Sequence, residues 1–213
     1  MLSVLIVDDH AIVRRGLKII LEEISDRIVT MDEAADCHEA LVKIRSSVYD
    51  LVLLDISLPG CSGLDLLKQL KTERPDLPVM MLTMYPEEQY AVRALRLGAS
   101  GYLTKESAPD ELVTAIRQVL AGGRYVSVAL AERLASELGR RRKEYLIPHE
   151  GLSDREFQVA CLIAAGKTVG RIAEELTLSE KTVSTYRSRI LAKMQLKSNA
   201  ELTSYAYRHG LVA

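Results

Sequence analysis

The chain has 213 residues, of which 48% are hydrophobic and 27% are charged, an ordinary composition for a soluble protein. No apolar run approaches the roughly 18 residues that span a membrane, and the first residues lack the basic and apolar regions of a signal peptide, so the sequence predicts a cytoplasmic protein without a membrane partner. Residues 1–124 carry 14 Lys+Arg against 19 Asp+Glu, whereas residues 125–213 carry 14 against 10, and this asymmetry predicts two modules with different partners.

The first 120 residues alternate short strand-like runs with helical patterns. The strand candidates are Ser3–Val7, Ile28–Met31, Leu51–Leu54, Val79–Leu82 and Gly101–Leu103. The helical patterns lie at about 11–24, 36–47, 62–74, 86–97 and 108–121. This alternation predicts an α/β domain in which helices cover both faces of a parallel five-stranded sheet.

Polar residues stand at the carboxyl ends of these strands. Asp8 and Asp9 follow the first strand, and Asp55, Thr83 and Lys105 follow the third, fourth and fifth. If the strand order is 2-1-3-4-5, the first and third strands flank the switch point where ligands bind in such sheets. Capping of the first helix by Asp8, capping of the third by Asp55 and a surface position for Lys105 would explain these residues one by one. They do not explain why polar residues stand at the ends of four strands.

Three carboxylates at close range repel one another unless a cation lies among them. Mg²⁺ is a hard ion that takes oxygen ligands and is commonly bound by a few carboxylates together with phosphate. Beside it, Asp55 can attack phosphorus as a nucleophile, while Lys105 and Thr83 bind the phosphoryl oxygens. The first module is therefore predicted to hold Mg²⁺ and to form an aspartyl phosphate.

The segment after Gly123 is predicted to be a linker at 124–149 that contains a short helix at about 128–138. Its basic run at 140–143 is interpreted as solvated rather than as a DNA contact. From Leu152 onward the pattern is helical only, with helices at about 153–165, 168–175, 179–194 and 198–208. Ser153 and Glu156 have the spacing of a capping box. Residues 150–213 thus predict a small all-α domain of four helices.

Residues 168–194 predict two helices joined by a tight turn, a helix-turn-helix. The second helix has an apolar stripe that includes Val183 and Ile190, with cationic and short polar residues elsewhere, which suits the major groove of DNA. An amphipathic helix with a solvated face explains the same pattern. The predicted DNA-binding residues are Lys181, Thr182, Ser184, Thr185, Tyr186, Arg187, Ser188, Arg189 and Lys193. Arg187 lies nearer the apolar side, and we expect it to pair with Glu156 rather than to read a base, with a contact to a DNA phosphate as the alternative.

Two sets of motifs resemble known families. VDDH at 7–10, LLDISLPG at 53–60, MLT at 81–83 and GYLTK at 101–105 resemble the receiver domain of bacterial two-component response regulators. LSDRE at 152–156 and RIAEELTLSEKTV at 171–183 resemble the LuxR-type DNA-binding domain of NarL/FixJ regulators. The resemblance covers almost the whole chain and implies a flavodoxin-like receiver at 1–123 followed by a helix-turn-helix domain.

The receiver resemblance implies roles for individual residues. Asp55 accepts phosphate from a sensor histidine kinase. Asp9 and Asp55 ligate Mg²⁺ directly with the backbone carbonyl of Ser57, while Asp8 acts more through water. Tyr102 matches the aromatic switch position and Thr83 its partner, although an ordinary strand aromatic explains Tyr102 equally well.

The DNA-binding resemblance has two departures. Ser184 stands where the family often has Lys, and Tyr186 stands where it often has His, which leaves the base preference open. The resemblance also implies that Ala200–Tyr207 forms a dimer helix.

The sequence as a whole predicts a transcription regulator rather than an enzyme. Phosphorylation of Asp55 is expected to favour a homodimer that binds double-stranded promoter DNA. A phosphate-independent DNA-binding protein with a vestigial receiver remains an alternative. An aspartyl phosphotransfer enzyme is another, but such sites usually place a second acid where Ser57 stands.

The three cysteines, Cys37, Cys61 and Cys161, are odd in number and form no C-x-x-C pair. This pattern predicts a reducing compartment, small core side chains and no disulfide.

Overall fold

The computed structural model describes residues 2–22, 29–140 and 148–212. The chain divides into two units, Met1–Leu134 and Ala135–Ala213. The division falls inside a helix, Val128–Arg140, which lies in the segment predicted as a linker. The domain limits 1–123, 124–149 and 150–213 stay a prediction, and most of the basic run at 140–143 lies outside the described residues.

The first unit contains a parallel sheet with helices on both faces. Its strands are β1 Leu2–Val7, β2 Val29–Ala34, β3 Leu51–Leu54, β4 Val79–Thr83 and β5 Gly101–Thr104. Their order is β2-β1-β3-β4-β5, which confirms the predicted topology. The central strand β3 is buried at every position, because a parallel sheet covered on both faces has no solvent side.

Five helices connect and cover these strands. They are α1 Ala11–Glu22, α2 Cys37–Ser46, α3 Gly63–Glu73, α4 Glu87–Arg96 and α5 Ala108–Leu120. Leu17 and Leu21 of α1 and Ile116 of α5 pack with Ile6 and Leu53 of the sheet in one hydrophobic cluster. Burial of this apolar surface is the main stabilisation of the unit, and it holds the carboxyl ends of the strands in fixed positions.

Strand β2 continues beyond its predicted end at Met31 and includes Asp32 and Glu33. These residues find partners on neighbouring elements, since the Tyr49 hydroxyl donates to Asp32 Oδ2 at 2.7 Å and Arg14 Nε donates to Glu33 Oε2 at 2.6 Å. An edge strand tolerates charged residues that a central strand does not. The hydrophobic pattern alone therefore placed the end of β2 too early.

The segment after Gly123 packs against the edge of the sheet. Tyr125 pairs with Gly101 of β5 in an isolated bridge, and its backbone N–H donates to Ser100 O at 2.9 Å. The Tyr125 hydroxyl donates to Glu111 Oε2 of α5 at 2.6 Å. The first part of the predicted linker is thus anchored to the first unit, and the helix that follows it is α6, Val128–Arg140.

The second unit is helical, as predicted. Its helices are α7 Asp154–Ala164, α8 Val169–Glu175, α9 Glu180–Lys193 and α10 Asn199–Arg208, preceded by an unpredicted 3₁₀ helix at Pro148–Gly151. Each of the four α-helices starts at a Ser or Thr whose side chain accepts from the backbone N–H three residues on, namely Ser153, Thr168, Ser179 and Ser198. None of the helices in the described residues is long and apolar enough to span a bilayer.

The expectation for the cysteines is wrong for two of the three. Cys37 and Cys61 form a disulfide with their Cα atoms 6.4 Å apart, whereas Cys161 is buried and belongs to no disulfide within the described residues. Cys37 begins α2 and Cys61 lies in the loop between β3 and α3. These two helices meet on one face of the sheet, a proximity that the spacing of cysteines along the sequence cannot reveal.

Candidate functional site

The carboxyl ends of β1 and β3 lie side by side, and an aspartate follows each of them. Val7 pairs with Leu54 in the parallel register, and Asp55 N donates to Val7 O at 2.9 Å. Asp8 and Asp55 are therefore neighbours, and both are buried, with 2% and 3% of their surface exposed. The strand order reverses between β1 and β3, so the two carboxylates lie in the crevice where open α/β sheets bind their ligands.

Lys105 lies between the two buried aspartates. Its Nζ is 2.6 Å from Asp8 Oδ2 and 2.6 Å from Asp55 Oδ2, and its position is fixed because Lys105 N donates to Thr83 O at 2.8 Å. Burial raises the pKa of Asp55, and the Lys105 ammonium counters only part of this effect. Burial alone would lower the pKa of Lys105, but Asp55 and Asp8 outweigh it and raise that pKa. The lysine stays charged, while the charge on Asp55 is incompletely compensated.

Thr83 and Tyr102 complete the side of the pocket formed by β4 and β5. Thr83 Oγ1 is buried and makes no well-aligned hydrogen bond within the described residues, although it lies close enough to Asp55 to counter part of the rise in the pKa of that carboxyl. A buried hydroxyl without a well-aligned partner is costly, so Thr83 is poised to donate to an incoming acceptor. The Tyr102 ring is buried with its hydroxyl donating to Tyr85 O at 2.9 Å, and burial raises the pKa of Tyr102 well above its usual range.

The loop after Asp55 is held by close backbone packing. Ser57 N donates to Asp55 Oδ1 at 3.3 Å, and Ser57 pairs with Ser62 in an antiparallel bridge. Gly63, the first residue of α3, lies so close that an added Cβ would stand 1.9 Å from the Asp55 carbonyl oxygen. Only glycine allows this approach, which fixes the backbone on which Asp55 is carried.

Arg14 and His10 add two further contacts at the end of β1. Arg14 Nη1 donates to the carbonyl oxygen of Asp8 at 2.7 Å while its Nε binds Glu33, so Arg14 ties Asp8 to the neighbouring strand. His10 Nδ1 lies 2.7 Å from Asp9 Oδ1. Neither residue was expected at the pocket from the sequence.

The donor set fits a hard divalent cation. One ligand atom from each of Asp8, Asp9, His10 and Asp55 lies within 4.8 Å of the others. Carboxylate oxygens are the ligands that Mg²⁺ prefers, and a divalent charge would compensate the excess of carboxylates over the single ammonium of Lys105. The Thr83 hydroxyl beside this set is a donor for the oxygen of a further anionic group.

A second candidate site is the exposed face of α9. Val183 and Ile190 are buried against the rest of the second unit, and the opposite side of the helix is open to solvent. The exposed predicted residues are Lys181, Ser184, Thr185, Ser188, Arg189 and Lys193, while Thr182, Tyr186 and Arg187 are half-buried. Within the described residues Lys181 and Arg189 form no ion pair, so both cations are available to a partner.

The predicted pairing of Arg187 with Glu156 is wrong. Arg187 Nε donates to Asn199 Oδ1 at 2.7 Å, whereas Lys193 Nζ lies 2.5 Å from Glu156 Oε2. Burial alone would raise the pKa of Glu156, but Lys193 and the backbone of Ser153 outweigh it and lower that pKa. Arg187 and Lys193 therefore fasten α9 to α10 and α7.

Comparison with known proteins identifies both units. Residues 4–117 match the response regulator receiver domain, and residues 150–206 match the LuxR family of bacterial regulatory proteins. The chain belongs to the response regulators with a LuxR-type DNA-binding domain. It is 39% identical over 212 residues to the response regulator UvrY of Escherichia coli strain K12, a match that covers 99% of this chain and 96% of that one. It is 40% identical over 213 residues to the response regulator GacA of Pseudomonas aeruginosa, covering 100% and 98%.

Solved structures of the response regulator RcsB have the same fold. RcsB of Salmonella typhimurium aligns with a TM-score of 0.67 at 27% identity, covering 98% of each chain. A complex of RcsB with DNA aligns with a TM-score of 0.59 at 27% identity, covering 97% of this chain and 98% of that one. RcsB of Salmonella enterica serovar Typhimurium bound to a promoter with the phosphomimetic BeF₃⁻ aligns with a TM-score of 0.65 at 28% identity, covering 96% and 97%.

In this response regulator the structure gathers the predicted pocket residues at one edge of the sheet. They are Asp8, Asp9, Asp55, Ser57, Thr83 and Lys105, with Tyr102 buried behind them. Sequence reasoning missed Gly63, although a glycine in the first turn of a helix, directly after the capping Ser62, is a visible signal of a close approach. It also missed Arg14, for which the sequence contains no such signal.

Proposed function

We propose that this response regulator is a transcription factor switched by phosphorylation of Asp55. A sensor histidine kinase supplies the phosphoryl group, and the phosphorylated protein binds double-stranded promoter DNA as a homodimer. The protein works in the cytoplasm, where the DNA is. The observation that carries the proposal is the buried triad of Asp8, Lys105 and Asp55, with the buried Thr83 hydroxyl beside it.

The chemistry at Asp55 is a phosphoryl transfer. A carboxylate oxygen of Asp55 bonds to phosphorus as the bond from phosphorus to the kinase imidazole nitrogen breaks, and the electron pair of that bond stays on the nitrogen. Lys105 and Thr83 then meet the transferred oxygens, Lys105 with its ammonium and Thr83 with its hydroxyl.

The proposed cofactor is Mg²⁺, held by Asp9, Asp55 and the Ser57 carbonyl oxygen, with Asp8 acting through water. When bound, Mg²⁺ supplies positive charge that neutralises the phosphoryl oxygens. The raised pKa of Asp55 supports this assignment, since it reflects a carboxylate whose charge the protein alone compensates incompletely. Arg14 keeps the chain at Asp8 in place by binding its carbonyl oxygen.

The output of the switch passes through β4 and β5. If the Thr83 hydroxyl turns to a phosphoryl oxygen, the packing next to Tyr102 changes, and the hydrogen bond from Tyr102 to Tyr85 O becomes the contact that reports the state of the pocket. Phosphorylation thus acts as a local charge and packing change on a two-state surface. In the phosphorylated protein the surface at β4 and β5 favours the homodimer.

The DNA contacts are assigned to the exposed face of α9. Lys181 and Arg189 contact phosphates or bases, and the short side chains of Ser184, Thr185 and Ser188 allow close approach to the groove. Thr182 and Tyr186, both half-buried, lie at the margin of this face. Arg187 and Lys193, which the sequence also placed among the contacts, are proposed instead to hold α9 in position. Helix α10, which includes Ala200–Tyr207, supplies the contact between two DNA-binding domains, so that paired helices read half-sites about one turn apart.

The test uses the full chain with a small phosphodonor and Mg²⁺. We expect one phosphoryl group per chain, lost in Asp55→Asn, together with tighter binding to a cognate promoter and a shift from monomer to dimer. Mass spectrometry, fluorescence anisotropy and light scattering measure these three quantities. Thr185→Val serves as a matched control for the labelling of Asp55, since it leaves the pocket intact and changes only the DNA-binding face.

Three results would contradict the proposal. Equal promoter affinity and oligomeric state with and without the phosphoryl group would indicate phosphate-independent binding. Absence of labelling at Asp55 would indicate a vestigial receiver. Catalytic turnover of the phosphodonor without accumulation of phosphoprotein would indicate a phosphotransfer enzyme.

A further inference from the structure

Cys37 and Cys61 are the feature of the first unit that the proposed switch does not use. They lie 24 positions apart in sequence, and the fold brings their Cα atoms to 6.4 Å, where the structure joins them as a disulfide. This separation lies within the range of about 4.4–6.8 Å that disulfides require. The two elements that carry the cysteines therefore lie close enough for the bond to form.

The pair is accessible to small molecules in solution. Cys37 and Cys61 are both half-buried, so each residue keeps part of its surface in contact with solvent. Cys161 differs, because only 4% of its surface is exposed and it lies in the core of the second unit. The chain thus contains its own internal control, a cysteine that a dissolved oxidant reaches only when the domain opens.

The position of Cys37 favours oxidation. It is the first residue of α2, where the partial positive charge of a helix N-terminus stabilises negative charge on sulfur. The start of α2 is itself rigid, since Asp36 accepts from Glu39 N at 2.8 Å and Glu39 Oε2 accepts from Ala35 N at 2.8 Å. Cys37 can therefore act as the attacking sulfur on a fixed support, and Cys61 as the sulfur that closes the bond.

The first unit has an apolar core in addition to this bond. Its core is a continuous apolar cluster that includes Ile6, Leu53 and Ile116, so the unit has the means to fold with both thiols reduced. In the reducing compartment where a DNA-binding regulator works, disulfides are usually transient. A half-buried pair whose Cα atoms lie at disulfide distance is the arrangement expected of a reversible site.

We propose that Cys37 and Cys61 form a reversible redox site, oxidised by a peroxide and reduced by a small thiol such as glutathione. The Cys37 thiolate attacks one peroxide oxygen, the O–O bond breaks, and water leaves after protonation of the second oxygen. The Cys61 thiol then attacks the resulting sulfenic acid, the S–O bond breaks, and a second water leaves. Two thiols lose two protons and two electrons, and hydrogen peroxide gains both to become two water molecules. Two glutathione thiols reverse the oxidation and become oxidised glutathione.

The bond ties α2 to the loop that follows Asp55. Cys61 lies between Gly60 and the capping Ser62, on the same loop as Ser57, and Ser57 pairs with Ser62. A link from the rigid start of α2 to this loop restrains residues 56–62 next to the pocket. The redox state of the pair is therefore expected to set the mobility of the loop that carries Ser57. This inference is independent of Asp55 phosphorylation, because thiols can be counted in unphosphorylated protein.

The first experiment counts thiols in the full chain. The protein is reduced, desalted, treated with hydrogen peroxide, denatured and alkylated with N-ethylmaleimide before intact mass spectrometry. We expect three alkyl groups before peroxide and one, on Cys161, afterwards, with three restored by glutathione. Cys161→Ser should still form the bond, whereas Cys37→Ser and Cys61→Ser should not. Three alkyl groups after peroxide, a bond between two chains, or failure of glutathione to restore the thiols would overturn the proposal.

The second experiment measures the restraint. Hydrogen exchange of residues 56–62 should be slower in the oxidised than in the reduced protein, and the melting temperature of the first unit should rise by about 5 °C or more. Cys161→Ser should show both effects, and Cys37→Ser, which serves as the unlinked control, should show neither after peroxide. Equal exchange of residues 56–62 in the two states would refute the restraint of the loop.

Discussion

Replacement of Gly63 by alanine tests how tightly the backbone at Asp55 is held. The added Cβ would lie 1.9 Å from the Asp55 carbonyl oxygen, 2.8 Å from its carbonyl carbon and 2.9 Å from Ile56 Cα. Ordinary contact begins near 3.4 Å, so the two backbone segments must separate by about 1.5 Å, the difference between 3.4 and 1.9 Å. All three neighbours are main-chain atoms, and no side-chain rotation can relieve the overlap.

The expected cost follows from two contributions. Overpacking in a core typically costs about 1–3 kcal/mol, and a rigid backbone neighbour places this site at the upper end. Separation also stretches the hydrogen bond from Gly63 N to Ile56 O, now 2.8 Å, whose loss costs about 1 kcal/mol. We therefore expect Gly63→Ala to lower the free energy of unfolding of the first unit by about 3–4 kcal/mol. Displacement of Asp55 should also slow its labelling by a small phosphodonor.

Gly16→Ala is the matched control for this prediction. Gly16 lies in α1 with no heavy atom within 4 Å of an added Cβ, so alanine should leave stability unchanged or raise it by up to about 1 kcal/mol through helix propensity. Urea unfolding followed by circular dichroism, with hydrogen exchange to assign the transition of the first unit, measures both variants. If Gly63→Ala unfolds at the same urea concentration as Gly16→Ala, the backbone at Asp55 is not confined as the structure indicates.

Three further predictions concern single contacts in the two units. Thr177 has a φ of 52° in the turn before α9, a left-handed conformation that costs a β-branched residue about 1 kcal/mol or more. Thr177→Asn should therefore raise the free energy of unfolding of the second unit by about 1 kcal/mol, measured by urea unfolding. An unchanged free energy of unfolding would contradict the strain at Thr177. The pKa of Asp55 in the folded protein is raised above its ordinary 3.8. The contribution of Asp55 to the free energy of unfolding therefore falls as the pH rises from 3.8 through the raised pKa. Without Mg²⁺, Asp55→Asn should therefore be more stable than the wild type at pH 7, with the difference fading below pH 3.8; thermal melts that show equal stability at pH 7 would refute this. Arg189→Ala should weaken promoter binding and reduce the slope of log affinity against log salt concentration by about 1. Lys193→Ala should mainly lower the stability of the second unit, because Glu156 loses its partner. If only Lys193→Ala reduced that slope, the two assignments would be reversed.

The sheet and its pocket could be predicted from the sequence because each strand leaves a local signal. A buried run such as Leu51–Leu54 ends at a polar residue, and the parallel topology brings all such ends to one edge. The end of β2 could not be predicted in the same way. Asp32 and Glu33 continue the strand because Tyr49 and Arg14, distant in sequence, supply partners for their charges.

The contacts of α9 show a different limit of sequence reasoning. The apolar stripe through Val183 and Ile190 fixes which face of α9 is buried, but it does not fix the rotation of α9 relative to α7 and α10. Arg187 and Lys193 lie about 120° apart around α9 and about 9 Å apart along it, so which of them reaches Glu156 depends on how α9 is placed against α7, and the structure selects Lys193. The disulfide between Cys37 and Cys61 escaped prediction for the same reason, since it depends on the packing of elements and not on any local pattern.

The charge balance of the pocket explains why its residues act as a set. Asp8, Asp9 and Asp55 bring three carboxylates and Lys105 a single ammonium, so a divalent cation makes the group neutral. A phosphoryl group on Asp55 then replaces one negative charge by about two and adds oxygens that need donors. We propose that Thr83 meets this need, because within the described residues its buried hydroxyl makes no well-aligned hydrogen bond and it lies beside Asp55, whose rise in pKa it partly counters. On this proposal a phosphoryl oxygen would give the Thr83 hydroxyl a well-aligned hydrogen bond, worth about 1 kcal/mol, and would link the charge on Asp55 to the packing beside Tyr102.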